Sequence, residues 1–230
     1  MDVARSDTAS DLPVSPDPAP RRPLSRELGV LVVIALALTF VVRLLVAQAF
    51  YIPSGSMEPT LQVGDRVLVD KIAYRLGEVH RGDVVVFDGR GSFAPFEADV
   101  TDGPLARVTR TVGQYVGVAP SERDYVKRVV GLPGDRVVCC GPDGRVSVNG
   151  APVDEPFVMA GDAPSDRPFD VTVPAGRLWV MGDHRSDSAD SRSHLGDPGG
   201  GTVALDRVVG QVRLRFWPVP DAGTVAGGAS

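Results

Sequence analysis

Two serines and a lysine carry the first chemistry that this sequence offers. The stretch Tyr51-Ile-Pro-Ser-Gly-Ser-Met-Glu-Pro-Thr-Leu61 holds Ser54 and Ser56 in a backbone that Pro53, Gly55 and Pro59 keep extended and tightly turned. Residues two apart on an extended chain face the same side. One hydroxyl there can attack a carbonyl while the other donates to the oxyanion that develops. Serines in a Pro/Gly loop also serve plain turn chemistry, so the pair means more only if a base reaches it.

Lys127 is the candidate base, in Tyr125-Val-Lys-Arg-Val-Val-Gly-Leu-Pro-Gly-Asp135. A run of valines is an unusual place for an ammonium group. A lysine acts as a general base only when its pKa falls from about 10.4 toward about 7–8. A fall of roughly 3 units corresponds to about 4 kcal/mol, within what full burial in apolar surroundings imposes. The competing reading has Lys127 pointing to water from a strand with one wet face. The other lysine, Lys71, follows Asp70, whose charge favours the ammonium form.

A third stretch, Met181-Gly-Asp-His-Arg-Ser-Asp-Ser-Ala-Asp-Ser-Arg192, packs three aspartates, two arginines and three serines into a short loop after a hydrophobic run. Such density suits a hydrogen-bonded scaffold in which Asp–Arg pairs hold the loop and a serine orients a neighbouring base. An acidic metal-binding loop is the rival, but the arginines and the missing loop periodicity oppose it. A fourth stretch, Arg81-Gly-Asp-Val-Val-Val-Phe87, reads as a turn and a buried strand. The two cysteines, Cys139 and Cys140, are adjacent and cannot supply the spaced ligands of a zinc site. They are a vicinal disulfide, two thiols, or simply two small apolar residues on a strand. No metal and no cofactor is expected.

The elements that must position these residues are uneven along the 230-residue chain. Residues 1–27, with five prolines among Asp, Ser and Ala, lack the apolar surface to offset ordering and read as a disordered tail. Leu28 to Val42 carries no charge, and the apolar texture continues past Arg43 to Phe50. A bilayer core of about 30 Å needs about 20 helical residues, so 28–49 reads as a single transmembrane helix with Arg43 snorkelling near one end. Arg21, Arg22 and Arg26 precede it, whereas no Lys or Arg lies between Arg43 and Arg66, which places the N-terminus in the cytoplasm. A cleavable signal is the rival, since Ala47-Gln48-Ala49 has the small-x-small look of a processing site. Either way the remainder works outside the cytoplasm.

From Tyr51 the texture is β. Short β-branched runs alternate with turn signals such as Leu132-Pro-Gly-Asp135, Gly141-Pro-Asp-Gly144 and Asn149-Gly150, so 50–220 reads as a mainly β, antiparallel domain. Residues 88–124 lack strand texture and read as a mobile insertion, and 221–230 as a flexible tail. With 24 basic against 29 acidic residues the net charge is −5, which argues against nucleic acid as a partner.

Taken together and in order, Ser-x-Ser-Met-x-Pro-Thr, Arg-Gly-Asp-Val-Val-Val-Phe, Val-Lys-Arg-Val-Val-Gly-Leu-Pro-Gly-Asp and Gly-Asp-x-Arg-x-x-Ser-x-Asp-Ser-Arg resemble the bacterial type I signal peptidases, over roughly Phe50 to Trp217. The arginine-rich, lysine-poor composition and the Pro-rich tail would suit an actinobacterial member. The resemblance implies a membrane-bound serine endopeptidase with a Ser/Lys dyad and an all-β catalytic domain at the outer face of the membrane. It matches Ser56 to the nucleophile and Lys127 to the general base. Ser54 matches the oxyanion donor that works beside the Ser56 amide, Ser188 the hydroxyl that orients the lysine, and Asp190 and Arg192 a supporting pair. The implied partners are preprotein signal peptides and membrane lipid. His184 departs from the asparagine often found there, and one span replaces the two of some relatives. A non-catalytic, membrane-anchored β-domain that binds envelope proteins is the alternative.

Overall fold

The computed structural model describes residues 24–94, 123–225 and 227. The chain divides into two compact units, Met1–Thr39 and Phe40–Ser230. Helix α1, Leu24–Leu45, is 22 residues long, with Glu27 in its first turn where a carboxylate complements the helix dipole. The apolar side chains from Leu28 to Phe40 are exposed along it. Among the described residues no helix is long and apolar enough to cross a membrane. The helix also differs in its limits from the expected 28–49. It takes in Leu24 to Glu27, and it stops before Ala47, where the chain enters strand β1, Ala47–Tyr51. The strand forms because Ala47, Gln48 and Ala49 pair in register with Asp70, Val69 and Leu68, which satisfies backbone groups that a continuing helix would keep to itself.

The rest is antiparallel β, as expected. After β1 come β2 (Arg66–Asp70), the short helix α2 (Ala73–Leu76), β3 (Val84–Asp88), β4 (Asp124–Gly131), β5 (Arg136–Cys139), β6 (Ser147–Val148), β7 (Ala151–Pro152) and β8 (Phe169–Thr172). They are followed by β9 (Arg177–Met181), β10 (Val203–Ala204), β11 (Val208–Trp217) and β12 (Gly223–Thr224). The larger sheet runs β1-β2-β11-β3-β4-β9-β10, with β12 also on β11, and the smaller runs β7-β6-β5-β8.

Strand β3 shows why the valine runs are central. All of Val84 to Phe87 is buried, and the side chains alternate between two cores. Val84 and Val86 join Phe50, Ile52, Met57 and Leu61, whereas Val85 and Phe87 join Val129, Leu178 and Val180. A strand buried on both faces has no polar positions, which is the reading of a continuous apolar run. A third core lies between β4, β5 and β9, around Trp179 and Val137.

Three expectations change at their edges. The expected insertion over 88–124 is narrower, because Asp88 and Asp124 pair at the ends of β3 and β4. Gly89 to Ala94 then folds as a turn whose Phe93 is buried against Phe87 and Tyr125, an aromatic anchor that holds the segment to the core. Residues 95–122 lie outside the described residues, as does most of the expected tail before 28. The C-terminal tail is not wholly loose either. Strand β12 pairs with β11, and Val225 donates its N–H to the Arg213 carbonyl and packs on the first core. Strand β3 pairs only with Val208 to Gln211, so the rest of that side of β11 leaves backbone groups that β12 can pair. Cys139 and Cys140 are joined by a disulfide.

Candidate active site

Ser56 and Lys127 are 71 residues apart in sequence and meet in space. Lys127 sits mid-way along β4, opposite Val85 of β3, and is only 4% exposed. Ser56, also buried, lies in the turn after β1, held by Glu58 N–H to Gly55 O and by His184 N–H to Ser56 O. Lys127 Nζ is 2.7 Å from Ser56 Oγ, and its second contact, at 3.0 Å, is the Val126 carbonyl. Burial holds the Lys127 amine well below the ordinary value of 10.5, at about 8, against the opposing pull of the Asp190, Asp183 and Asp187 carboxylates. Near neutral pH such a lysine is within reach of the free-base form. The wet-face reading of Lys127 does not hold.

Ser54 Oγ lies 3.5 Å from Ser56 Oγ, on the same side of the chain. Both line a cleft of about 490 Å³ with Lys127, Tyr125, Asp187 and Ser188. Were the buried Ser56 hydroxyl to attack a carbonyl, the exposed Ser54 hydroxyl beside it would be placed to donate to that carbonyl's oxygen. Ser54→Ala is expected to lower kcat by roughly a hundred- to a thousandfold while the melting temperature stays put, as loss of one oxyanion donor does. Steady-state kinetics on a peptide substrate read this. A variant with unchanged kcat, or one as inactive as Ser56→Ala, contradicts the role.

The loop 182–192 is a scaffold, as its density of charge suggests. Asp190 accepts the Gly182 and Arg192 N–H groups and forms a two-pronged pair with the Arg192 guanidinium, whose far nitrogen also donates to the Arg185 carbonyl. Asp190 and Arg192 are both buried, so each charge depends on the other. Ser188 differs from expectation. It lines the cleft, but its buried Oγ has no hydrogen-bond partner, since the short contacts of Lys127 go to Ser56 and Val126 instead. Ser188 is packed over Gly182, where an added Cβ would lie 2.6 Å from Ser188 Cβ and close on the Ser56 carbonyl. The glycine is what lets the loop approach the Ser56 backbone.

The sequence reading assigned no role to Arg128 or to Glu155. Arg128, next to Lys127, is buried and paired with Asp183, and its guanidinium also donates to the Gly82 carbonyl and lies over the Phe157 ring. Thr60 donates to the same Asp183, which ties the serine loop to the 182–192 loop. Glu155 pairs with buried Arg185. An arginine beside the lysine in a valine strand was a signal for the first, whereas Glu155 lies in a stretch without pattern. No metal-binding group of three or more His, Cys, Asp or Glu occurs among the described residues.

The comparisons with known proteins fit this arrangement. The family model described as signal peptidase, peptidase S26, matches residues 25–217. Signal peptidase I of Mycobacterium tuberculosis (strain ATCC 25618 / H37Rv) is 42% identical over 91% of this chain and 78% of its own. The probable signal peptidase I of Mycobacterium leprae (strain TN) is 38% identical over 95% and 85%. The probable signal peptidase I-2 of Synechocystis sp. (strain ATCC 27184 / PCC 6803 / Kazusa) is 38% identical over 86% and 75%. With 193 of 230 residues inside the family match and relatives this similar over most of their length, the chain belongs to the signal peptidase family, peptidase S26, and is a serine endopeptidase.

Proposed function

We propose that this endopeptidase is membrane-bound and removes signal peptides from exported preproteins, with Ser56 as nucleophile and Lys127 as general base. The contact of 2.7 Å between a buried amine and a buried hydroxyl carries the reading. Neutral Lys127 takes the Ser56 proton as Oγ attacks the scissile carbonyl. The oxyanion turns toward the Ser54 hydroxyl and the Ser56 N–H. The lysine then gives its proton to the leaving amine, and a water molecule, deprotonated in turn by Lys127, releases the acyl group. The Asp190–Arg192 and Asp183–Arg128 pairs keep the two loops fixed while this happens. The test is to incubate the detergent-solubilised protein with a preprotein carrying an Ala-x-Ala site and sequence the new N-terminus. Cleavage directly after that site, absent in Ser56→Ala, is expected; equal cleavage by the variant overturns the reading.

The exposed apolar side chains from Leu28 to Phe40 on α1, and the arginines before it, support a single-pass anchor with the N-terminus cytoplasmic and the β domain outside. Ala47-Gln48-Ala49 is taken up in β1, paired residue for residue with β2, and a protease cannot thread a strand that stays in its ladder. Intact-mass analysis of the membrane-extracted protein is therefore expected to retain the residues before Phe50. A dominant species that begins at Phe50 contradicts this.

A further inference from the structure

Resting on the Ser56–Lys127 reading, we propose that Asp187 selects substrate by charge: it favours a cationic residue, and rejects an anionic one, beside the scissile bond. Asp187 ends the 3₁₀ turn Arg185–Asp187, and its N–H donates to the His184 carbonyl. This exposed residue lines the same cleft as Ser54, Ser56 and Lys127. One of its carboxylate oxygens lies 3.7 Å from the point where a Cβ on Gly55 would stand, which is between the two serines. A substrate whose carbonyl meets Ser56 therefore enters a cleft that this carboxylate lines.

The charges around the cleft leave Asp187 uncompensated. Arg167 pairs with Asp166, Arg185 with Glu155 and Arg192 with Asp190. Lys127 is buried and works as the neutral amine. Among the described residues Asp187 has no ion-pair partner, so the working cleft carries an excess negative charge at its mouth. Glu58 also approaches Gly55, with Oε1 3.3 Å from the same Cβ point, and adds to the same field. The same Asp187 carboxylate opposes the lowering that burial imposes on the Lys127 amine, in keeping with its place at the cleft. A lysine or arginine of the substrate relieves it, and a glutamate meets like charge.

The experiment uses the full-length, detergent-solubilised enzyme and peptides that keep small residues at −1 and −3 and carry Lys or Glu in turn at −2, +1 and +2. At one of these positions wild type is expected to prefer Lys over Glu by roughly fivefold in kcat/KM, the size of an exposed charge pair. The preference should shrink as salt is raised, because the charges are solvent-exposed. Asp187→Asn should bring the ratio to near one, and Asp187→Lys should invert it. A wild-type ratio that salt does not alter, or one that Asp187→Asn leaves intact at all three positions, overturns the inference; the salt arm needs no variant to fold. Cleavage of these peptides by Ser56→Ala would instead overturn the dyad reading, so the two failures are distinguishable.

Discussion

Lys127→Arg is expected to have no measurable activity in a folded protein, because a guanidinium cannot give up its proton and so cannot take one from Ser56. Lys127→Met should be equally inactive, but it separates chemistry from stability. The folded pKa of about 8 lies below the ordinary 10.5, so the folded protein binds fewer protons than the unfolded chain between those values. Stability of the wild type therefore rises with pH from about 8 to about 10.5. Below that window it carries the full cost of a buried ammonium, about 3 kcal/mol for a shift of this size. Methionine removes the cost, so Lys127→Met should be more stable than wild type near pH 7, and the two should converge toward pH 10. Denaturant melts at several pH values measure this. Wild-type kcat/KM should climb on a limb centred near 8. An active arginine variant defeats the assignment, and so does a limb near pH 6 that vanishes when His80, His184 or His194 is changed to glutamine.

The meeting of Ser56 and Lys127 was legible in part because local rules spoke for both residues. Two serines around one glycine between prolines read as facing one side, and Ser54 and Ser56 do meet, although in a bend and turn rather than on an extended stretch. Valines around Lys127 spoke for burial, although only the packing of β4 beside β3 decided between a buried and a wet face. Strand texture likewise marked β3, β4, β9 and β11. What escaped depends on partners remote in sequence. Arg128 and Asp183 are 55 residues apart, and nothing in either neighbourhood names the other. The ends of α1 and the pairing of β12 follow from which backbone groups find a ladder, a competition that hydropathy does not register. Ser188 is a subtler case. Its role beside the lysine followed from the family resemblance, but whether its hydroxyl bonds the amine depends on how the loop packs over Gly182, which local sequence does not set.

Asp183→Ala should cost about 3–5 kcal/mol in urea unfolding. Both partners of the pair are almost fully enclosed, Arg128 at 2% and Asp183 at 0% side-chain exposure. The guanidinium donates twice to the carboxylate, at 2.8 and 2.7 Å. Removing the aspartate takes from a buried arginine that cannot neutralise itself its two-pronged carboxylate partner, while contacts such as the Gly82 carbonyl, the Thr60 hydroxyl and the Phe157 ring remain. The cost is that of a buried guanidinium that loses its two-pronged carboxylate, so the double variant Arg128→Met/Asp183→Leu should recover most of the loss. Function follows a second route. Asp183 is one of the three carboxylates that oppose the effect of burial on Lys127. Without it the lysine is freer to lose its proton, and whatever activity Asp183→Ala retains should rise on a limb at lower pH than wild type's. The double variant should show the same displaced limb at near wild-type stability, since it too lacks the aspartate. A single variant within about 1 kcal/mol of wild type, the range of an exposed pair, would mean that the ion pair does not hold the loops together. A limb that stays at the wild-type pH in the double variant would mean that Asp183 does not act on Lys127.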